Sequence, residues 1–260
     1  KKHKVTLFFG VPTLYASILN LDLDIKNYST LRLCISAGEA LPKHLYYKWL
    51  KLLKLKILDG IGSTEMLHIF ISNTKTKVYP GSSGKPVPGY NAKLVNEKGQ
   101  EAEVNEIGEL YVQGPSSAIQ YWNKPEKTNS TFIDGWTKTG DKYTKNKYGV
   151  YTYCGRADDM MKVSGQYVSP FEVETALQSH KSVLEAAVVA NQDNDLLIKP
   201  KAFIILNKSY YPSDALKKEL TIHVKKNLTP FKYPRWYEFV ESLPKTATGK
   251  IQRYKLRKNI

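Results

Sequence analysis

The spacing of apolar residues changes period several times before position 60, and this alternation constrains the fold more than any other feature. Val5 to Phe9 is an apolar run of strand length. Pro12 then stands where a helix can begin, because its ring pre-sets φ and the first helical position needs no N–H. Leu31 to Ile35 is a second apolar run. From about Pro42 to Leu53 the period becomes helical, with Leu41, Leu45, Trp49 and Leu52 on one face. Lys56 to Leu58 predicts a third short strand. Strand–helix–strand order at this spacing predicts a parallel sheet covered by helices. Ligands of such sheets bind in the loops beyond the carboxyl ends of the strands. Two loops stand out: Ser36-Ala37-Gly38-Glu39 and Asp59-Gly60-Ile61-Gly62-Ser63-Thr64-Glu65.

Beyond about Val78 the pattern shortens. Tyr90 to Val95, Gly108 to Gln113 and Val150 to Tyr153 read as short strands separated by turn signals such as Lys98-Gly99. They predict an antiparallel, barrel-like section. After Arg156 the texture changes again. Ser169 and Glu172 have capping-box spacing for a helix ending near Ser179. Val183 to Ala190, Ala202 to Leu206 and Trp236 to Val240 predict strands. Ser213 caps a helix bearing Leu216, Leu220 and Val224. The expected organisation is therefore an α/β domain over residues 1–157 and a small α+β domain over residues 158–260, with the boundary near Asp158.

Composition narrows the classes. The chain has 260 residues, 42% apolar and 24% charged, which suits a globular protein with a sizeable core and excludes collagen-like, coiled-coil-only and disordered chains. Two cysteines, Cys34 and Cys154, make neither a disulfide scaffold nor a structural zinc site, so a reducing, cytoplasmic location is expected. No apolar run reaches the roughly 18 residues of a membrane helix. Lys1, Lys2 and Lys4 before Val5–Leu19 imitate a signal peptide, but Pro12 and Tyr15 interrupt the run and no small-residue cleavage site follows. The first residue is Lys, and the chain reads as a piece of a longer protein. Lys and Arg exceed Asp and Glu by 39 − 24 = 15. That suits an anionic partner, but the lysines are scattered without a block, as on a solvated surface.

Several constellations can carry chemistry. In Gly62-Ser63-Thr64-Glu65 a glycine permits close backbone approach, the hydroxyls can bond phosphate oxygens, and the carboxylate suits Mg²⁺. An ordinary Gly-Ser turn before a helix has the same residues. In Trp136-Thr137-Lys138-Thr139-Gly140-Asp141 the Asp can accept two bonds from vicinal hydroxyls, or merely close a turn. Gly155-Arg156-Ala157-Asp158-Asp159 also suits a surface ion-pair cluster. In Pro244-Lys245-Thr246-Ala247-Thr248-Gly249-Lys250-Ile251 the lysine is a mobile point charge able to reach an oxyanion, or a solvated loop residue. Gly81-Ser82-Ser83-Gly84-Lys85 imitates a phosphate-binding loop, but Pro86 replaces the needed Ser or Thr, so a rigid connector is expected. His3, His44, His68, His180 and His223 have no metal-ligand spacing.

In this order the segments Ser36–Leu41 (SAGEAL), Asp59–Glu65 (DGIGSTE), Gly108–Gln113 (GELYVQ), Trp136–Asp141 (WTKTGD), Gly155–Lys162 (GRADDMMK) and Pro244–Ile251 (PKTATGKI) resemble successive core motifs of the adenylate-forming enzymes. That superfamily comprises acyl- and aryl-CoA synthetases, firefly luciferase and peptide-synthetase adenylation domains. The resemblance runs from Val5 to Arg253, and Leu58–Asn73 with Met160–Pro170 is most similar to the benzoate–CoA ligases.

The resemblance implies the C-terminal part of a large adenylate-forming domain, a parallel sheet with helices plus the small barrel-like section, followed by a small mobile domain. It implies ATP, Mg²⁺ and coenzyme A, and an aryl carboxylate substrate. Ala37, Gly38, Glu39, Asp59, Gly60 and Ile61 would line adenine, with Gly62 and Ser63 completing the nucleotide loop. Thr64 would bond the α-phosphate, Glu65 hold Mg²⁺, and Asp141 take the ribose hydroxyls beside Arg156. Lys250 would stabilise the adenylation transition state, which with Thr64 and Glu65 makes the catalytic set. His68 and Ile69 match aryl-pocket positions, Ser164, Gly165 and Tyr167 the pantetheine tunnel, and Asp158 the hinge. Two departures follow. Ile61 stands where many members place an adenine-stacking aromatic. The Ser/Thr/Gly-rich loop that cradles the β- and γ-phosphates is missing, since it belongs upstream of Val5, so this piece alone is expected to be inactive.

Three alternatives remain open: another acyl-CoA synthetase, an enzyme that loads a carrier protein, and a non-catalytic remnant. A basic nucleic-acid-binding protein is disfavoured, since no zinc finger, RNA-recognition signature or basic helix with heptads occurs. Oligomeric state is not legible, and a homodimer stays open.

Overall fold

The computed structural model describes residues 3–21, 28–246 and 249–257. It divides into two compact units, Lys1–Tyr153 and Cys154–Ile260, so Asp158 lies within the second.

The first unit opens with β1 (Leu7–Gly10), α1 (Pro12–Leu19), β2 (Leu33–Ser36), α2 (Lys43–Leu53), β3 (Ile57–Gly62), β4 (Ile69–Ser72) and β5 (Lys85–Pro86). These strands form one sheet in the order β1-β2-β3-β4-β5. The first three are parallel, with Leu7 opposite Leu33 and Ser36 opposite Asp59. Pro12 opens α1 as its fixed φ requires. Trp49, on the inner face of α2, is fully buried with Tyr15, Cys34 and Ile57. Its ring meets Tyr15 edge-on at 4.8 Å. Truncating such an aromatic to alanine costs about 3–5 kcal/mol. Strand β3 is longer than the expected Lys56–Leu58. Asp59, Gly60 and Ile61 lie in strand, not loop, because β2 pairs with one edge of β3 and β4 with the other.

The same unit continues with β6 (Asn91–Val95), β7 (Gly108–Gln113), α3 (Pro125–Thr131), β8 (Phe132–Ile133), β9 (Trp136–Lys145) and β10 (Tyr151–Arg156), whose last residues pass into the second unit. The antiparallel path is β10-β9-β7-β6, with β8 on β9. A bridge between Gly84 and Tyr151 joins it to the first sheet. Met66, Phe70, Leu94, Leu110, Val112 and Tyr143 fill the core between them.

The second unit has a hairpin, β11 (Met161–Val163) and β12 (Gln166–Val168), then α4 (Pro170–Gln178), β13 (Val183–Gln192), β14 (Ile198–Leu206), α5 (Asp214–Asn227), β15 (Trp236–Phe239) and α6 (Arg253–Arg257). The hairpin turns on Ser164 and Gly165, both at positive φ (50° and 79°), as a two-residue primed turn requires. Ser169 caps α4 by accepting from the Glu172 amide at 3.1 Å. The Glu172 carboxylate turns to Lys232 at 2.7 Å, so the capping box is half formed. Ser213 caps α5, whose Leu216, Leu220 and Val224 are buried. Ala186 and Val188 of β13 face one core, while Ala187 and Val189 face another. That double cover explains the unbroken apolar run in this strand.

Candidate active site

Two residues set the geometry at the end of β3. The β3–β4 register shifts between Ile61 and Gly62. A Cβ on Gly62 would lie 2.5 Å from the His68 carbonyl oxygen, so only glycine fits. The chain then turns through Ser63, whose Oγ accepts from the Met66 amide at 3.3 Å. Thr64 is exposed at the top of this turn. Glu65 is fixed at both ends. Its carbonyl accepts from the Ala118 amide at 2.7 Å, and its Oε1 accepts from the Tyr121 hydroxyl at 2.6 Å. Burial pushes the Glu65 pKa up, but the Tyr121 hydroxyl, the backbone, the Ser63 hydroxyl and the Lys127 charge outweigh it, and the net shift is downward. Glu65 is therefore a half-buried anion at neutral pH.

Asp59 is different. It is buried, its Oδ2 accepts from the Leu41 amide at 3.4 Å, and its Oδ1 has no hydrogen-bond partner among the described residues. Burial raises its pKa well above the carboxylate range, against the pull of the Leu41 and Gly60 amides. Ser36, its register partner on β2, has a buried Oγ that likewise has no partner among the described residues. Unpaired polar atoms at this depth cost about 1–3 kcal/mol each, and here they cluster where parallel strands place ligands. Gly38, at φ 93°, turns the loop that carries Ala37 and Glu39. Ile61 packs on the second core.

Asp141 is placed by a bulge. The β7–β9 register runs from Glu109 opposite Lys142 to Tyr111 opposite Lys138, so Thr139, Gly140 and Asp141 together oppose Leu110. Thr139 Oγ1 donates to the Leu110 carbonyl at 2.9 Å and accepts from the Asp141 amide at 3.2 Å. Gly140 takes φ 73°. Bulges of this kind re-aim a side chain at a site. The site's carboxylates share a neighbour in Tyr143. Burial, then the Asp141 charge and more weakly the Asp59 charge, hold its hydroxyl pKa well above the ordinary value, while Ser83 pulls it down.

The remaining first-unit candidates border this turn. The His68 ring has Nδ1 2.6 Å from the Ile69 carbonyl oxygen and Nε2 3.1 Å from the Tyr90 hydroxyl. Tyr90 also meets Ser116 at 2.6 Å. Ile69, half-buried, opens β4.

The second unit holds the others. Lys250 is exposed on a loop closed by the Lys245–Ile251 bridge, and its amide donates to Thr246 Oγ1 at 3.1 Å. Ala247 and Thr248 of the same motif lie outside the described residues. Arg156 Nε stands 3.8 Å from Asp158 Oδ1. The Asp158 side chain is exposed, and its carbonyl accepts from Arg257 at 3.2 Å. Ser164 and Gly165 are the exposed hairpin tip, and the Tyr167 ring lies 5.4 Å from Lys162 Nζ.

An AMP-binding enzyme family model matches residues 1–122, and the model of the AMP-binding enzyme C-terminal domain matches residues 172–250. The chain belongs to the AMP-binding enzymes. Benzoate–CoA ligase of Thauera aromatica is 58% identical over 99% of this chain and 49% of its own length. The 4-hydroxybenzoate–CoA/benzoate–CoA ligase of Rhodopseudomonas palustris is 51% identical over 98% of this chain and 48% of its own. A crystal structure of the anthranilate CoA ligase AuaEII with anthranoyl-AMP superimposes with TM-score 0.94 at 49% identity, covering 98% of this chain and 50% of that one. This AMP-binding enzyme chain spans about half the length of the curated relatives it matches.

Tyr121, Tyr90, Ser116 and Tyr143 support these candidates but belong to none of the motifs read from the AMP-binding enzyme sequence. Each reaches its partner across 22 to 60 positions. A tyrosine in a loop or strand carries no local mark of which distant group it meets.

Proposed function

We propose that the full-length protein carrying this chain activates benzoate, or a close aryl carboxylate, with ATP and transfers the acyl group to coenzyme A. The products are the aryl-CoA thioester, AMP and pyrophosphate. The observation that carries this reading is that hydrogen bonds tie β3 and its following turn to β9 in one unit. The Ala118 amide donates to the Glu65 carbonyl at 2.7 Å beside Ser117, whose hydroxyl lies 2.8 Å from that of Thr137 on β9, and Asn73 on the Asp59 carbonyl leads through Ser82 and Ser83 to Tyr143, two residues beyond Asp141. The names of the relatives supply the aryl acid.

The residues divide the work as follows. The Oδ1 of Asp59, without a partner among the described residues, suits the exocyclic amine of adenine, a donor that would satisfy it. Asp141 accepts from the ribose hydroxyls. The exposed Thr64 hydroxyl donates to an α-phosphate oxygen. Attack of a carboxylate on that phosphorus brings two anions together, and the Lys250 charge offsets the repulsion as the bond forms. The Glu65 carboxylate fits Mg²⁺: it is anionic and half-buried, and Mg²⁺ takes one or two protein carboxylates with substrate phosphates and water completing the coordination. When bound there, Mg²⁺ neutralises phosphate charge. His68 and Ile69 border the acid, Ser164, Gly165 and Tyr167 the pantetheine arm, and the chain turns at Asp158, between domains at residues 1–157 and 158–260, so that Lys250 leaves before the thiol attacks. A chain with only two cysteines suits a reducing cytoplasm. Among the described residues no helix is long and apolar enough to cross a membrane.

The test is to assay the full-length protein with ATP, Mg²⁺ and coenzyme A against benzoate, 4-hydroxybenzoate, anthranilate, acetate and octanoate. An aryl acid should give the highest kcat/KM. A preference for octanoate or acetate would overturn the substrate assignment.

A further inference from the structure

A buried run of hydrogen bonds, passing through the Asn73, Ser83 and Tyr143 side chains and the Ser82 backbone, ties the strand of Asp59 to the strand of Asp141, and none of these residues belongs to the nucleotide motifs. Asn73 follows β4 and is 4% exposed. Its amide N–H and its Nδ2 both donate to the Asp59 carbonyl at 3.0 Å, and Nδ2 also donates to the Ser82 carbonyl at 2.8 Å. Ser82 and Ser83 are buried in the stretch that sequence alone marks as a rigid connector. Gly84 closes that turn at φ 93°, where a Cβ would fall 2.3 Å from the Ser72 carbonyl oxygen. The Ser83 amide donates to the Tyr151 carbonyl at 3.0 Å, and the Ser83 and Tyr143 hydroxyls share a hydrogen bond of 3.0 Å. Tyr143 is 1% exposed and stands two residues beyond Asp141, at the foot of the bulge.

Burying this many polar groups is costly unless each is satisfied, and apolar side chains would join the two sheets as firmly. What hydrogen bonds add is a defined geometry. We propose that Asn73, Ser82, Ser83 and Tyr143 form a positioning relay that sets the separation of Asp59 and Asp141, and thereby the grip of the site on the nucleoside of ATP. This rests on the reading of Asp141 as the ribose carboxylate. Ser83 and Tyr143 act through Asp141 and touch no substrate.

The experiment uses the full-length protein and its Ser83→Ala, Tyr143→Phe and double variants, with KM and kcat measured for ATP, 2′-deoxyATP and 3′-deoxyATP. The parent should prefer ATP. Each single variant should raise KM for ATP on the order of three- to tenfold, the effect of one hydrogen bond. KM for the aryl acid should not change. The preference for ATP over the deoxynucleotides should shrink by the same factor, and the double variant should be no worse than either single one. Equal losses with all three nucleotides, additive losses, or a parallel rise in the KM of the acid would make the pair merely structural and overturn the proposal. A parent that does not distinguish the nucleotides would instead overturn the ribose assignment of Asp141, and the proposal with it. Should Tyr143→Phe fail to fold, Ser83→Ala decides the matter alone, and Ser83→Thr, which restores the hydroxyl, should restore the preference.

Discussion

Arg253→Met tests the anchoring of the loop that bears Lys250. Arg253 forks onto Glu174 through Nε and Nη2 at 3.0 and 2.7 Å, and its Nη1 lies 3.6 Å from Asp159. The Glu174 side chain is 5% exposed, and its Oε1 also accepts from the Val188 amide at 2.8 Å. On the other side of the loop Lys245 pairs with Glu185 at 2.6 Å. Lys250 is thus held between two ion pairs. Removing Arg253 leaves a buried carboxylate with one backbone donor, a loss of about 3–5 kcal/mol. With a urea slope of about 1–3 kcal/mol/M, the transition of the second unit should move down by roughly 2 M. The assay is urea unfolding followed by hydrogen exchange at the Val188 amide, which should lose protection. Adding Glu174→Gln, which keeps an acceptor for Val188 but removes the stranded charge, should recover more than half of the loss. A shift below about 0.5 M for Arg253→Met, or a double variant as poor as the sum of the single ones, would refute the anchoring argument.

Tyr121→Phe removes a donor that holds the Glu65 pKa down. A depressed pKa confers stability that is present above the ordinary carboxylate value and lost as pH falls through the folded value. The variant's Glu65 should therefore protonate at higher pH, and the acid limb of kcat/KM for ATP should move up; an unmoved limb would detach Tyr121 from Glu65. Gly62→Ala forces a Cβ against the His68 carbonyl oxygen and should cost about 1–3 kcal/mol in stability with a larger loss of ATP affinity, read by calorimetry. Lys250→Ala in the full-length protein should slow adenylate formation ~10²–10³-fold, while thioester formation from synthetic benzoyl-adenylate and coenzyme A is spared; equal loss in both would exclude a departing lysine. The 260-residue chain assayed alone should release no pyrophosphate from ATP and benzoate, and release near the full-length rate would refute the need for an upstream phosphate loop.

What was legible in the sequence was local. Ser169 and Ser213 announced their helices because a cap needs only the amide three residues on. Gly108–Gln113 has the strand limits expected, since alternating burial leaves its mark within six residues. The family was legible because the residue types of its motifs and their order are specific, and the AMP-binding enzyme models match residues 1–122 and 172–250. Strand β3 outran its expected end at Leu58 because its extension depends on β2 and β4, not on its own glycines. The polar stretch Gly81–Lys85 went the other way. It imitates a phosphate-binding loop, and Pro86 together with the short glycine spacing makes a rigid connector the expectation. Yet its serines are buried, one of them on Tyr143, a partner 60 positions away. Glu65 finds Tyr121 across 56 positions and Glu174 finds Arg253 across 79. Sheet register decides such pairings, and the bulge at Thr139–Asp141 shows how sensitive they are. The bulge sets three residues of β9 against one of β7, an excess of two, so Thr137 before it and Tyr143 after it still face the same side, whereas a single residue more or less would turn Tyr143 away from Ser83. A chain read residue by residue therefore discloses its family motifs well before it discloses which distant groups hold them in place.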